Sequence, residues 1–466
     1  MNVDNICSTE QLTFLKYVNE HYLFYSITIF TFASLFILVW ILKQYTYFEK
    51  HKITRATIPT FPYGNFRDVI KQENSLHVLL WKHYNRFKRK GCKFGGLFLF
   101  IKPVILVVDS TVTLSINKNN RSNIFPLETK IDKKDIDKIL GRHILTTFVE
   151  RYDYSIKGVL PEKLLNNEVS SVLKDFLLES ICIAFGFQSF EIVEEINQLL
   201  TARYDTSLRY YISLCIPFFG SRHSRLNLDL KDVLSEIIEN RKKNDLLESD
   251  IIQSFIKLYN ESDYTIEAIT NQVINIFADI LTYSYSTLIF CLYELAHNQE
   301  IQEEVIGEVR RFNKKNRKLT YENVEEPMYL DAVIKETLRK YPPVASIISL
   351  SNNNLEGYPD KNPLVFQSIL GIHRDPQYYT KPEAFDPDRF TETRCFIKNT
   401  FIPFGLGATN NLYMKFTTLQ VKLILISVFS SLEVKIKDGA ANNLKYNTKL
   451  LYLSPCENLN FSFNRI

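Results

Sequence analysis

A chain of 466 residues, 45% of them apolar and 13% aromatic, is long enough to bury a large core. Its net charge of +4 is drawn from 56 basic and 52 acidic residues, too even a balance to argue for a nucleic-acid-binding face. The seven cysteines (Cys7, Cys92, Cys182, Cys215, Cys291, Cys395, Cys456) form no CxxC pair and share no spacing with paired histidines. They therefore spell neither a disulfide framework nor a structural zinc site, and they suit a reducing compartment.

The first element in chain order is the uncharged run "YLFYSITIFTFASLFILVWIL", Tyr22 to Leu42, long enough to cross the hydrocarbon core as a helix. Trp40 stands at one end, with Tyr22 and Tyr25 at the other, as interfacial anchors do. Lys43, Lys50, Lys52 and Arg55 follow the run, whereas Asp4, Glu10 and Glu20 precede it with Lys16 as the sole base. Positive residues stay cytosolic, so the bulk of the chain is expected to face the cytosol. A cleaved signal peptide fits poorly, because the run is too long, begins late and lacks a small-residue cleavage site. The expected organisation is a lumenal tail (1–21), a single transmembrane anchor (22–42), a Pro-containing linker (43–65) and one large domain (66–466). Few Gly-, Ser- or Pro-rich stretches divide that last part.

After the anchor, "ATIPTFPYGN" (Ala56 to Asn65) predicts a stiff linker and turn. "FGGLFLFIKPVILVVDS" (Phe94 to Ser110) predicts a hairpin broken at Lys102-Pro103. Amphipathic helical patterns then dominate from about Glu168 to Leu350, among them "EVSSVLKDFLLESICIAFGF", "EEINQLLTARY" and "DVLSEIIENRKK". "LRYYISLCIPFFG" (Leu208 to Gly220) is apolar for an inter-helix segment and reads as core or as a second contact with the membrane surface. The longest helix is predicted from the N-cap Thr265 to about Asn298, and its composition predicts burial on most sides. The whole reads as mainly α with small β-sheets near the front and towards the end.

Three motifs follow one another in the last third. "DAVIKETLRKYPPV" (Asp331 to Val344) is a helix ended by two prolines, with Glu336 and Arg339 on one face. "HRDPQYYTKPEAFDPDRF" (His373 to Phe390) brings Arg389 in an aromatic, proline-rich meander, and "FIPFGLGATNNLYMKF" (Phe401 to Phe416) carries a Phe-Gly-x-Gly turn into a helix start. Glu-x-x-Arg, Phe-Asp-Pro-x-Arg-Phe and Phe-Gly-x-Gly in that order, behind an anchor and a Pro-rich linker, resemble membrane-bound cytochromes P450 over nearly the whole chain. "TFPYGNFRDV" and "GIHRDPQYY" look most like the insect detoxification branch. The resemblance implies a mainly helical, P450-like fold behind one transmembrane helix. It also implies a structural triad of Glu336, Arg339 and Arg389 that holds the loop beneath the cofactor.

The cofactor residues of that family are replaced one by one. Its ligand loop, Phe-x-x-Gly-x-Arg-x-Cys-x-Gly, places Asn411 where the Cys thiolate that favours O–O cleavage would stand. Thr409 takes the place of the loop Arg, Tyr413 that of the last Gly, and Ser349 that of a second Arg that would meet the haem propionates. Arg142 is at best a partial substitute among the propionate partners, and Trp40 and Trp81 lie too early. On the long helix, Thr282 and Tyr283 occupy the places of the acid and Thr that deliver protons, followed by Ser284. Asp279 is the nearest acid and is expected to face elsewhere on the helix.

These replacements predict a membrane-anchored P450-fold protein of the endoplasmic reticulum, single-pass and mostly cytosolic, without haem-thiolate monooxygenase activity. No cofactor is expected on this reading, and no metal or nucleic acid. The lipid bilayer is the expected partner, together with a lipophilic ligand or a membrane protein. Tyr283, Tyr285 and Tyr413 are expected to fill the vacated space. The alternative is a monooxygenase of hydrophobic small molecules, with haem and a membrane reductase. A third reading is a product without function.

Overall fold

Helix α1 (Asp4–Tyr45) opens the computed structural model, which describes residues 4–113, 123–125, 141–155, 159–186, 208–215, 228–244, 250–261, 265–351, 358–359, 362–391, 400–406, 410–437, 444–456 and 459–466. Its stretch Phe24–Tyr45 has a mean hydropathy of 2.1, and apart from Ile41 near its end none of its described side chains is buried. It presents Phe24, Phe30, Phe32, Phe36 and Trp40 outward. Side chains this apolar on every face of an unpacked helix suit a lipid surroundings and not water.

After α1 the chain turns back onto the first hairpin through a single residue. Gly64 has φ +68°, and its amide and carbonyl exchange hydrogen bonds of 2.8 Å with Thr60. A Cβ there would come within 2.1 Å of the Phe98 carbonyl oxygen and 2.7 Å of the Phe100 carbonyl oxygen, both rigid backbone. Gly64→Ala is therefore expected to cost roughly 2 kcal/mol or more, from the left-handed backbone and the clash together. A thermal melt within a degree of the parent's would disprove this.

Helix α2 (Leu76–Arg89) starts at Ser75, whose hydroxyl accepts from the His77 amide. Strands β1 (Phe94–Leu99) and β2 (Lys102–Val107) pair antiparallel, so the expected hairpin forms, but its turn falls at Phe100 and Ile101. Pro103 lies inside β2 opposite Phe98, and pairing of β2 with its other neighbour begins only at Ile105. The proline thus sits where one side of its strand has no ladder partner, the position that a missing N–H tolerates. With β3 (Asn123–Phe125), β4 (Ser346–Leu350) and β5 (Leu364–Ser368) these strands form one sheet in the order β1-β2-β5-β4-β3, parallel only between β2 and β5.

Helices make up the rest. Those the site uses are α3 (Arg142–Ser155), α4 (Val169–Phe185), α5 (Ile266–His297), α6 (Met328–Lys340) and α7 (Asn410–Phe429), followed by the two-stranded sheet of β6 (Leu432–Ile436) and β7 (Phe461–Arg465). Helix α4 ends at Gly186, φ +80°, where a Cβ would meet the Asp250 carboxylate at 2.0 Å. That carboxylate is held bidentate by Arg241 at 2.8 and 2.9 Å. The segment at Leu208 is helical through Cys215 and buries Tyr211 and Leu214, while the rest of it and "EEINQLLTARY" lie outside the described residues.

Helices α5 and α7 are also long and apolar enough to span a bilayer. Yet 89% of the apolar 18-residue window of α5 and 78% of that of α7 are buried within the protein, against none of the corresponding window of α1. Both are core elements packed on α6 and on each other; α5 also packs on α4, and Gln420 of α7 donates to the Leu177 carbonyl of α4 at 3.0 Å. The fold is mostly helical with small sheets, as its sequence predicts.

Candidate functional site: the gap between α5 and the start of α7

Helix α6 delivers the first charges. Its apolar face buries Leu330, Val333, Ile334 and Leu338, and the three-residue spacing sets Glu336 and Arg339 side by side in the last turn. Tyr341 leaves the helical region at φ −132°, ψ 64°, ahead of Pro342 and Pro343, and so ends the helix. Arg339 donates from Nε to Glu336 Oε2 at 2.7 Å and from Nη2 to Oε1 at 2.8 Å, with both residues fully buried. Its remaining donors reach the carbonyls of His373 at 2.9 Å and Ala384 at 3.2 Å. Arg389 approaches Glu336 Oε1 at 3.4 Å, and the Asp386 amide donates to the same oxygen at 3.0 Å. One carboxylate and two guanidinium groups thus gather the meander around the end of α6.

A residue to which the sequence assigns no role links this cluster to the loop. His373 Nε2 accepts the Ile402 amide at 3.0 Å, because a backbone N–H can only donate. Nδ1 therefore carries the proton and donates to the Arg339 carbonyl at 3.0 Å. Burial, with the Arg339 charge adding to it, pushes this imidazole down to about 3, so it is neutral. The ring stacks on Phe401 at 5.8 Å, and Val344 donates to the Pro403 carbonyl at 3.1 Å. The 400–406 loop is fixed from both sides by groups that cannot swing away.

Across from that loop lies α5. Asp279 and Tyr283, four residues apart, share the helix face that meets the start of α7. The Tyr413 hydroxyl donates to Asp279 Oδ2 at 2.7 Å. The Tyr413 ring meets Tyr283 edge-on, 5.3 Å between centroids at 90°, and Tyr283 packs on Phe404 at 5.7 Å. All four side chains are buried. This differs from the expectation that Asp279 faces elsewhere: the partner that pulls it to this face, Tyr413, is more than a hundred residues away in sequence.

The remaining candidates are dispersed. Thr282 is buried on α5, and Ser284 beside it has a buried hydroxyl with no hydrogen-bond partner among the described residues. Tyr285 does not enter the gap; its hydroxyl pairs with Ser170 at 2.7 Å and the Lys174 ammonium lies 5.0 Å from its ring. Ser349 lies on β4, buried opposite Asn123 of β3. Arg142 points away to an exposed ion pair with Glu322 at 2.8 Å, so it is no substitute cation for the gap. Asn411 is exposed on the first turn of α7, and Thr409 lies outside the described residues. Asn411, a neutral carboxamide, cannot itself supply a thiolate.

Comparison with known proteins bears on the same question. The family model "Cytochrome P450" matches residues 164–461, more than half of the chain. Cytochrome P450 6l1 of Blattella germanica is 33% identical over 233 residues, 48% of this chain and 46% of that protein. Alignments above 30% identity thus span only about half of the relative's length. Probable cytochrome P450 6a23 of Drosophila melanogaster is 25% identical across 88% of this chain and 93% of its own, and cytochrome P450 6k1 of Blattella germanica is 24% identical across 90% and 93%. These insect relatives agree with the branch that the motifs resemble. The family match overturns the expectation of no cofactor, since membership implies haem. With the apolar N-terminal helix, it supports association with the membrane of the endoplasmic reticulum. By its fold, its family match and its relatives, the chain belongs to the cytochrome P450 family.

Proposed function

We propose that this chain is a membrane-anchored member of the family that does not carry out haem-thiolate monooxygenation and acts by binding a lipophilic ligand or a membrane partner. The observation that carries the reading is Asn411 in the place of the thiolate ligand. Without thiolate donation, the push that favours O–O cleavage is missing. Thr282 and Tyr283 in the proton-delivery places, and Ser349 and Thr409 in the propionate places, support it further. Glu336, Arg339 and Arg389 act as the structural triad in this reading, holding the loop whether or not chemistry follows.

The anchor is proposed as a single pass, with residues 43–65 as linker and the remainder on the cytosolic side. The basic residues after Leu42 support that orientation. A second reading, oxidation of hydrophobic small molecules with a reductase as electron donor, is favoured by the family match itself.

The two readings part on one spectrum. With the full chain expressed in membranes and haem supplied, the reduced carbon-monoxide complex is expected to lack the thiolate-type band. A thiolate-type band from the folded protein would establish the monooxygenase reading and overturn ours.

A further inference from the structure

The space between α5 on one side and the 400–406 loop with the start of α7 on the other is bridged, not merely narrowed. In the P450 frame the long helix lies on one face of the haem and the ligand loop on the other. Here Asp279 and Tyr283 from the helix side touch Tyr413 and Phe404 from the loop side directly, through a 2.7 Å hydrogen bond and two ring contacts. A flat macrocycle between two groups needs van der Waals contact on each face, about 7 Å in all. A hydrogen bond of 2.7 Å leaves no such interval.

The residue responsible stands where the family has glycine, which carries no side chain into the gap. Tyr413 is fixed from below by α7, where Leu412 and Phe416 are buried beside it. It is held from above by a carboxylate, a stronger acceptor than a neutral group.

We propose that the Tyr413–Asp279 hydrogen bond is a clasp: this bond and haem in the family's place exclude each other, so haem enters only when Tyr413 has turned out of the gap. The inference rests on the family frame and on these four side chains, not on the ligand chemistry at Asn411. It can therefore fail while the reading of the function stands, and the reverse.

The test is titration of the haem-depleted full chain with haemin in detergent micelles, followed by Soret absorbance and by the shift of the melting temperature on haemin addition. Tyr413→Gly, which removes the whole plug, is expected to bind haemin at least about tenfold more tightly than the parent. Tyr413→Phe keeps the ring and removes the hydroxyl, and is expected to gain roughly threefold. If Tyr413→Gly does not fold, Tyr413→Phe decides alone. Equal affinities in the parent and the folded variants overturn the clasp. The carbon-monoxide band reports ligation and is blind to this difference in uptake, so the two readings are judged separately.

Discussion

Glu336→Ala is expected to cost about 3–5 kcal/mol of stability, and Arg339→Ala a similar amount, because each strands a fully buried charge without its partner. Against a typical domain stability of about 5–15 kcal/mol, either change brings the fold to the edge of unfolding at growth temperature. The two differ in what they leave behind. Without Glu336, two guanidinium groups and the Asp386 amide lose their common acceptor. Without Arg339, the carbonyls of His373 and Ala384 are left unmet as well. Arg389→Ala is expected to cost roughly 1 kcal/mol, since Arg389 stands 3.4 Å from the carboxylate and keeps partial solvent contact. Thermal unfolding of the three variants in one detergent gives the order. A Glu336→Ala melt indistinguishable from that of Arg389→Ala would refute the argument. Because the proposed role is structural, the same order is expected whether or not the protein carries out any oxidation.

The second large effect is acid lability well above the carboxylate range. Burial pushes His77 and His83 down to about 4, with the Arg86 and Lys82 charges adding at His83, while burial and Arg339 push His373 to about 3. All three lie below the ordinary 6.5 of an unfolded chain. As pH falls through that ordinary value, the unfolded state takes up protons that the folded state refuses, so stability drops. The slope is about 1.4 kcal/mol per pH unit for each histidine. By pH ~5 each has removed roughly 2 kcal/mol, and the three together up to about 6 kcal/mol. Below about 4 the loss from His77 and His83 levels off, because the folded protein then begins to protonate them too. His83→Gln is the informative variant, since His83 is the least enclosed of the three. It is expected to remove about a third of the slope between neutral pH and pH ~5. A denaturant midpoint that stays flat over that interval in the parent would show that the buried imidazoles titrate normally.

Much of this protein was legible one segment at a time. The charge-free run at Tyr22, the hairpin at Phe94, the helix beginning after Thr265 and the helix stopped by Pro342 and Pro343 are local features. Hydrophobic period, turn residues and proline geometry act over a few residues, so the sequence displays them without the fold. The order of three short motifs was enough to indicate the family.

Contacts between distant segments were not legible in that way. Its bulk makes Tyr285 a candidate to fill the gap, but the rotation of α5 sends it to Ser170, and Asp279 faces the gap instead. Nothing near Asp279 in sequence indicates that Tyr413 will reach it. Arg142, at best a partial substitute by its sequence, pairs with Glu322 at the surface. His373 passed as part of a motif, and its neutral state depends on Arg339 and Ile402 closing round it. Local propensity and periodicity fix what each segment becomes and which face it buries. The partner of a buried polar group is fixed only by packing, because any acceptor brought within reach can satisfy the same donor, and the tertiary fold alone decides which one arrives.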